Sequence, residues 1–241
     1  MSENKDRTER FDQTQLHEDQ HGKVVHRDYA AHFFRWGFAT RFIGPESRVL
    51  DIGCGVETPL AKVLSFRNGQ FPALYVGVDL NRIPKPFKAG WADVYDEFNF
   101  VEQGDELLED FTTVTCFEVV EHMRRPDAVQ LLKVAGRRLA NGGQLLLSTP
   151  VHDGVHMPKN HIQEYTVAEL KEMITEAGLV VDKRYGTFAN VVQLRKAATF
   201  SHLAIMKELR EYYSDDILST FLAPLYPDAS RNNLWVLRRP E

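Results

Sequence analysis

Cysteine is scarce in this chain: Cys54 and Cys116 are its only two, and each falls near the end of an apolar run. Thiols placed inside buried strands exclude a disulfide framework and suit small core side chains of a cytoplasmic protein. Long hydrophobic stretches are missing too. No run approaches the ~20 apolar residues that cross a bilayer as a helix, so no membrane partner is expected. A basic excess is also lacking, since 29 Lys and Arg stand against 34 Asp and Glu for a net charge of −5. A general nucleic-acid binder carries a basic face, so the balance favours a small-molecule partner. Arg35, Arg41, Arg184, Arg195 and Lys196 read as scattered solvated charges. No repeat and no linker composition interrupts the 241 residues. One domain over residues 23–241 is therefore expected, behind a polar, charged tail at residues 1–22 that reads as disordered. Oligomeric state has no signature.

What is present is an alternation of strand and helix signals, which implies a mostly parallel sheet with helices on both faces. An aromatic helix over 23–44, with Phe33, Phe34, Trp36, Phe38 and Phe42, stops at Gly44-Pro45. Strands are expected at Val49–Gly53, Tyr75–Asp79, Phe98–Val101, Thr113–Phe117, Leu145–Ser148, Val180–Tyr185 and Leu234–Leu237. Pro126-Asp127 opens a helix after the fourth strand, and Thr166-Val167-Ala168-Glu169 is a capping box. Residues 190–230 read as a helical insertion before the last strand.

Two of these strands end in chemistry. Arg48-Val49-Leu50-Asp51-Ile52-Gly53-Cys54-Gly55 is an apolar run closing on a carboxylate and two glycines, and the second strand closes on Asp79 followed by Leu80. A glycine turn that lets backbone approach a ligand, beside a carboxylate that accepts from two ribose hydroxyls, is nucleotide-binding geometry in an α/β sheet. Dinucleotide binding wants a third glycine three positions beyond the second of G-x-G; counted from Gly53 that place is Thr58.

With these segments together, the chain resembles the class I S-adenosylmethionine-dependent methyltransferases over residues 45–185. Asp51 to Gly55 resembles their first motif and Asp79 the acidic tip of their second strand. Gly104-Asp105 resembles the third-strand carboxylate that reaches the adenine amino group. Phe117-Glu118-Val119-Val120-Glu121-His122-Met123 resembles the fourth motif. Leu139-Ala140-Asn141-Gly142-Gly143 is similar to the later L-x-P-G-G turn, with Asn141 in place of proline. The resemblance implies a Rossmann-like fold, a seven-stranded sheet with its last strand antiparallel, and S-adenosylmethionine held by Asp51, Gly53, Cys54, Gly55, Asp79, Leu80, Gly104, Asp105, Phe117 and Glu118. One departure is Glu57, where the family's usual motif carries its third glycine; its side chain either meets the methionine end of the cofactor or turns to solvent.

Glu118, Glu121 and His122 follow the fourth strand at i, i+3, i+4 spacing, which places them on one helical face. His161 lies past the fifth strand, at the same edge of the sheet. The set resembles two branches of the class: the O-methyltransferases of ubiquinone biosynthesis and the small-RNA 2′-O-methyltransferases. Mapped onto this chain, the resemblance implies Glu118, Glu121, His122 and His161 as ligands of a divalent ion, Mg²⁺ first, with Glu121 and His122 catalytic. The open alternative is metal-free, with His122 as general base. The acceptor is expected to be a small molecule bearing a hydroxyl, and the resemblance implies one of two adjacent hydroxyls, catechol-like in the ubiquinone branch, where an ion holds them. An RNA or nucleotide methyltransferase, or a catalytically silent cofactor-binding protein, are the alternatives. His152, Asp153 and His156 follow the fifth strand in a polar loop that either lines the acceptor pocket or is only a connection.

Overall fold

The structure is a computed structural model that describes residues 27–154 and 157–240; the expected tail at 1–22 and His156 lie outside them. Seven strands form one sheet: β1 (Arg48–Ile52), β2 (Leu74–Val78), β3 (Ala92–Tyr95), β4 (Phe111–Phe117), β5 (Leu139–Pro150), β6 (Val180–Ala189) and β7 (Ser230–Arg238). Their order is β3-β2-β1-β4-β5-β7-β6. The first five strands run parallel, and β7 is antiparallel to both β5 and β6. This is the Rossmann-like methyltransferase architecture that the resemblance implied.

Alternation along the strands builds two cores, because successive side chains point to opposite faces. Leu50, Ile52, Val114, Leu145 and Leu147 pack beneath α4 (Arg125–Arg137) and α5 (Val167–Glu176). Val49, Tyr75, Leu146 and Leu234 pack beneath α1 (Arg27–Ala39) and α2 (Pro59–Ser65). Helix α3 (Phe100–Gln103) is a single turn beside the first core. The region between β6 and β7 is helical as expected: α6 (Val191–Ala197), α7 (Phe200–Leu209) and α8 (Asp215–Leu222) enclose a small core of Leu194, Met206 and Leu218. Thr166 and Glu169 form the expected capping box of α5. No described helix is long and apolar enough to cross a membrane.

The third strand is displaced from its expected place. The apolar run Phe98–Val101 enters a helical turn instead, because the Asn99 side chain accepts from the Val101 N–H and caps it. The pairing partner of β2 is Ala92–Tyr95, a half-exposed edge strand in a stretch rich in Pro and Lys.

Candidate active site

The parallel strands end at one edge, and the glycine turn is pinned there. The N–H groups of Gly53 and Cys54 both donate to the Val78 carbonyl, at 2.9 and 3.1 Å. The Gly55 N–H donates to Oδ2 of Asp79 at 2.8 Å, and the Asn81 N–H to Oδ1 at 2.8 Å. Gly53 and Gly55 have φ of +69° and +73°, backbone that L side chains rarely adopt. A Cβ on Gly53 would lie 2.5 Å from Val119 Cγ2, whereas one on Gly55 would meet only Pro59 Cδ, at 3.9 Å. Space above Gly55 beside a carboxylate is the cradle a nucleoside needs.

Asp79 is 6% exposed. Burial raises its proton affinity, and the Asn81 and Gly55 N–H groups oppose that rise. Each oxygen has accepted one N–H and keeps capacity for a hydroxyl. Asp51 is more deeply committed: Tyr75 Oη donates to Oδ2 at 2.7 Å and Thr115 Oγ1 to Oδ1 at 2.6 Å. Burial pushes its carboxyl up to about 6, despite both hydroxyl donors. Asp51 thus has both oxygens engaged by hydroxyls of the two neighbouring strands. Cys54 is buried, its sulfur against Gly77, and desolvation drives its thiol far above the ordinary range. Leu80 and Phe117 are half-buried and pack on opposite cores. Glu57 is exposed and paired with Lys62.

Two expected cofactor residues are not brought to this edge. Asp105 sits in a turn of 3-10 helix and accepts from Arg137 Nε at 3.0 Å. Arg137 closes α4 at the opposite edge, next to Arg138, whose carbonyl accepts from the first residue of β4. Gly104 is buried for packing: a Cβ there would lie 2.6 Å from Val134 Cγ1 of α4. Here Asp105 is engaged by Arg137 and Gly104 by packing on α4, in the chain that follows the helical turn at Phe100–Gln103.

The second part of the site follows β4. Val120–His122 form one turn of 3-10 helix, and the Glu121 carbonyl accepts the N–H groups of Ile162 and Gln163. That pairing docks the His161 segment onto the turn. Ligand atoms of Glu121, His122 and His161 lie within 4.8 Å of one another. His122 Nδ1 donates to the Asn160 carbonyl at 2.9 Å, and His161 Nδ1 donates to Oε1 of Glu164 at 2.8 Å. A ring whose Nδ1 carries the proton offers Nε2 as its lone pair, the usual state of a ligating or basic imidazole. Glu121 is 1% exposed and accepts from Thr149 Oγ1. Burial, reinforced by the charge of Glu118, holds its carboxyl well above the usual range. A buried carboxylate of that kind beside two imidazole lone pairs fits a divalent cation by its donor chemistry.

Glu118 lies apart from this cluster. Ser148 Oγ donates to its Oε1 at 2.8 Å, Asn232 Nδ2 to its Oε2 at 2.7 Å, and Arg35 approaches within 3.7 Å. Its φ of +57° is left-handed, which turns the side chain toward β5 and β7. Arg35, expected as a solvated charge, is 2% exposed on α1. Arg35, Asn232 and Glu164 are site residues the sequence reading missed. Only the Asx/Glu content near the strand ends hinted at the last two, and nothing marked Arg35 among the other arginines.

The methyltransferase-domain family matches residues 26–184. The chain belongs to that family. It carries a methyltransferase domain with the Rossmann-like fold. Among curated relatives, the ubiquinone biosynthesis O-methyltransferase of Pseudomonas aeruginosa is 32% identical over 108 residues, 42% of this chain and 44% of that one. The match therefore spans less than half of either protein. A SAM-dependent methyltransferase structure from Archaeoglobus fulgidus is similar with a TM-score of 0.59 at 16% identity, over 89% of this chain and 95% of that chain. The 1,6-didemethyltoxoflavin-N1-methyltransferase of Burkholderia thailandensis, solved with S-adenosylhomocysteine, also has a TM-score of 0.59 at 16% identity, over 92% of this chain and 84% of that chain. At such identities the likeness carries the fold alone. The acceptor of this methyltransferase is a matter for its own side chains.

Proposed function

We propose that this methyltransferase transfers the S-adenosylmethionine methyl group to one of two adjacent hydroxyls on a small molecule. The observation that carries the reading is the cluster of Glu121, His122 and His161, with Nδ1 of each imidazole facing an acceptor oxygen. The partial relationship to a ubiquinone biosynthesis O-methyltransferase supports transfer to oxygen.

Asp79 suits the ribose hydroxyls, and Gly53 and Gly55 let the backbone close on the cofactor. The cofactor sulfonium is already activated, so the chain must mainly align oxygen, methyl and sulfur. Glu121, His122 and His161 would hold the divalent ion. Such an ion, when bound, supplies positive charge that makes a hydroxyl more acidic. One carboxylate and two imidazoles suit Mn²⁺, Fe²⁺ or Zn²⁺ better than Mg²⁺, which prefers an oxygen shell. Glu118, held by Ser148, Asn232 and Arg35, stands outside this donor set.

A second reading keeps the acceptor and drops the ion. His122, its Nδ1 committed to the Asn160 carbonyl, offers Nε2 to take the hydroxyl proton directly. The deciding experiment follows radiolabelled methyl transfer to 3,4-dihydroxybenzoate and to its single-hydroxyl analogues. Transfer to the diol that stops on exhaustive chelation and returns with Mn²⁺ supports the first reading. Transfer that survives chelation and dies in His122→Ala establishes the second. Equal transfer to single-hydroxyl analogues overturns the vicinal-diol acceptor.

A further inference from the structure

Glu164 has no assigned part in cofactor or acceptor chemistry, yet it is the most deeply held carboxylate beside the cluster. Its side chain is 1% exposed. Oε1 accepts from His161 Nδ1 at 2.8 Å. Oε2 is buried with no hydrogen-bond partner, and it lies 3.8 Å from Nδ1 of His152, itself buried and unpartnered. His152 comes from the end of β5, where Val151 bridges to Tyr165 and the His152 N–H donates to the Tyr165 carbonyl at 2.9 Å. Two histidines from two segments thus face one carboxylate.

A space-filling role does not account for this. A buried acceptor left unsatisfied is destabilising, and more so when it is charged. A neutral acceptor would hold the His161 ring at lower cost. What a carboxylate adds is a strong demand for a proton on the facing nitrogen, which a neutral imidazole meets only in one tautomer. The ring nitrogen so fixed determines which nitrogen is left to act.

We propose that Glu164 is a positioning residue for His161. It locks the ring as the Nδ1–H tautomer and leaves Nε2 as the lone pair presented alongside Glu121 and His122. The inference rests on the reading of His161 as a working donor in the acceptor site. It extends that reading to the residue that makes the donor competent.

The test reads the ring itself. Long-range proton–nitrogen correlation of the ¹⁵N-labelled full chain near neutral pH reports the His161 tautomer, with His161→Gln used for assignment. The wild-type ring should be Nδ1–H. Glu164→Gln, whose amide can face the ring with either its oxygen or its NH2 group, should retain it only in part. Glu164→Leu should convert the ring to Nε2–H or a mixture, with S-adenosylhomocysteine affinity unchanged. Titration of Mn²⁺ alone by calorimetry should weaken roughly 10–100-fold in Glu164→Leu, with partial rescue in Glu164→Gln. An Nε2–H ring in the wild type overturns the proposal, as does an unaltered ring in Glu164→Leu. If the wild type takes up no Mn²⁺, the metal reading fails by itself, and the tautomer spectra still decide the role of Glu164. If Glu164→Leu does not fold, the wild-type spectrum decides it, an Nδ1–H ring supporting the proposal and an Nε2–H ring overturning it.

Discussion

The Gly55 N–H donates to Oδ2 of Asp79 at 2.8 Å, so the glycine turn and the tip of the neighbouring strand are one unit. The carboxylate that suits a ribose also holds the turn that suits the rest of the nucleoside. Removing it should damage both.

Asp79→Ala is therefore expected to weaken S-adenosylhomocysteine binding by about 1.5–3 kcal/mol, the loss of charge-assisted hydrogen bonds. Calorimetry reads it. An unchanged affinity in the folded variant would remove Asp79 from the cofactor site.

Gly53→Ala should cost more stability than Gly55→Ala. Both introduce a Cβ at positive φ, a strain of about 1 kcal/mol or more. Only Gly53 adds a 2.5 Å approach to Val119. Thermal melts of the two variants check the order, and a reversed order would contradict the packing of the turn against Val119.

Asp105→Ala should leave cofactor affinity within twofold of the wild type. The Asp105–Arg137 pair is half-exposed at the far edge of the sheet, where exposed pairs contribute about 0–1 kcal/mol. A large loss of affinity would bring Asp105 back to the adenine.

The pH dependence of the cofactor-free protein carries the signature of Asp51. Burial raises its folded pKa to about 6, above an unfolded value of about 4. Between those values the folded state binds more proton, so stability from this group falls as pH rises from about 4 to about 6. Above pH 6 the loss is complete, on the order of 3 kcal/mol. Asp51→Asn removes this dependence. Its stability relative to the wild type should rise from pH 4 to pH 6 and then level, read from urea midpoints. A difference that stays flat across this window would show that Asp51 is not strained by burial.

His161→Ala should abolish or strongly reduce diol methylation while S-adenosylhomocysteine binding stays within about twofold, because the two halves of the site use different residues. Turnover and calorimetry on the same preparation test this. Parallel loss of cofactor binding would mean that the His161 segment supports the fold of the whole edge.

Local pattern was enough to pick out many of the residues that gather at this edge of the sheet. Asp51, Gly53, Gly55 and Asp79 are legible because a buried parallel strand is a short apolar run, and a turn at positive φ demands glycine. The capping box at Thr166 and the i, i+3, i+4 spacing of Glu118, Glu121 and His122 are likewise local signals. Their geometry only partly followed. The turn is 3-10 rather than α, and Glu118 adopts a left-handed backbone that directs it to Ser148 and Asn232.

What the chain determined by itself was the order of its strands and helices and the pair of glycines under a carboxylate, since periodicity, caps and turns act over a few residues. What only tertiary structure decided was partnership. Phe98–Val101 carries a strand-like composition, but the Asn99 cap and the pairing of Ala92–Tyr95 with β2 send it into a helical turn and Asp105 to Arg137. Arg35 looks like any surface arginine until α1 folds over Glu118. Glu164 looks like a solvated charge until His161 and His152 close on it from two segments. Burial and long-range contact set these roles, and neither is written in the neighbours of a residue along the chain.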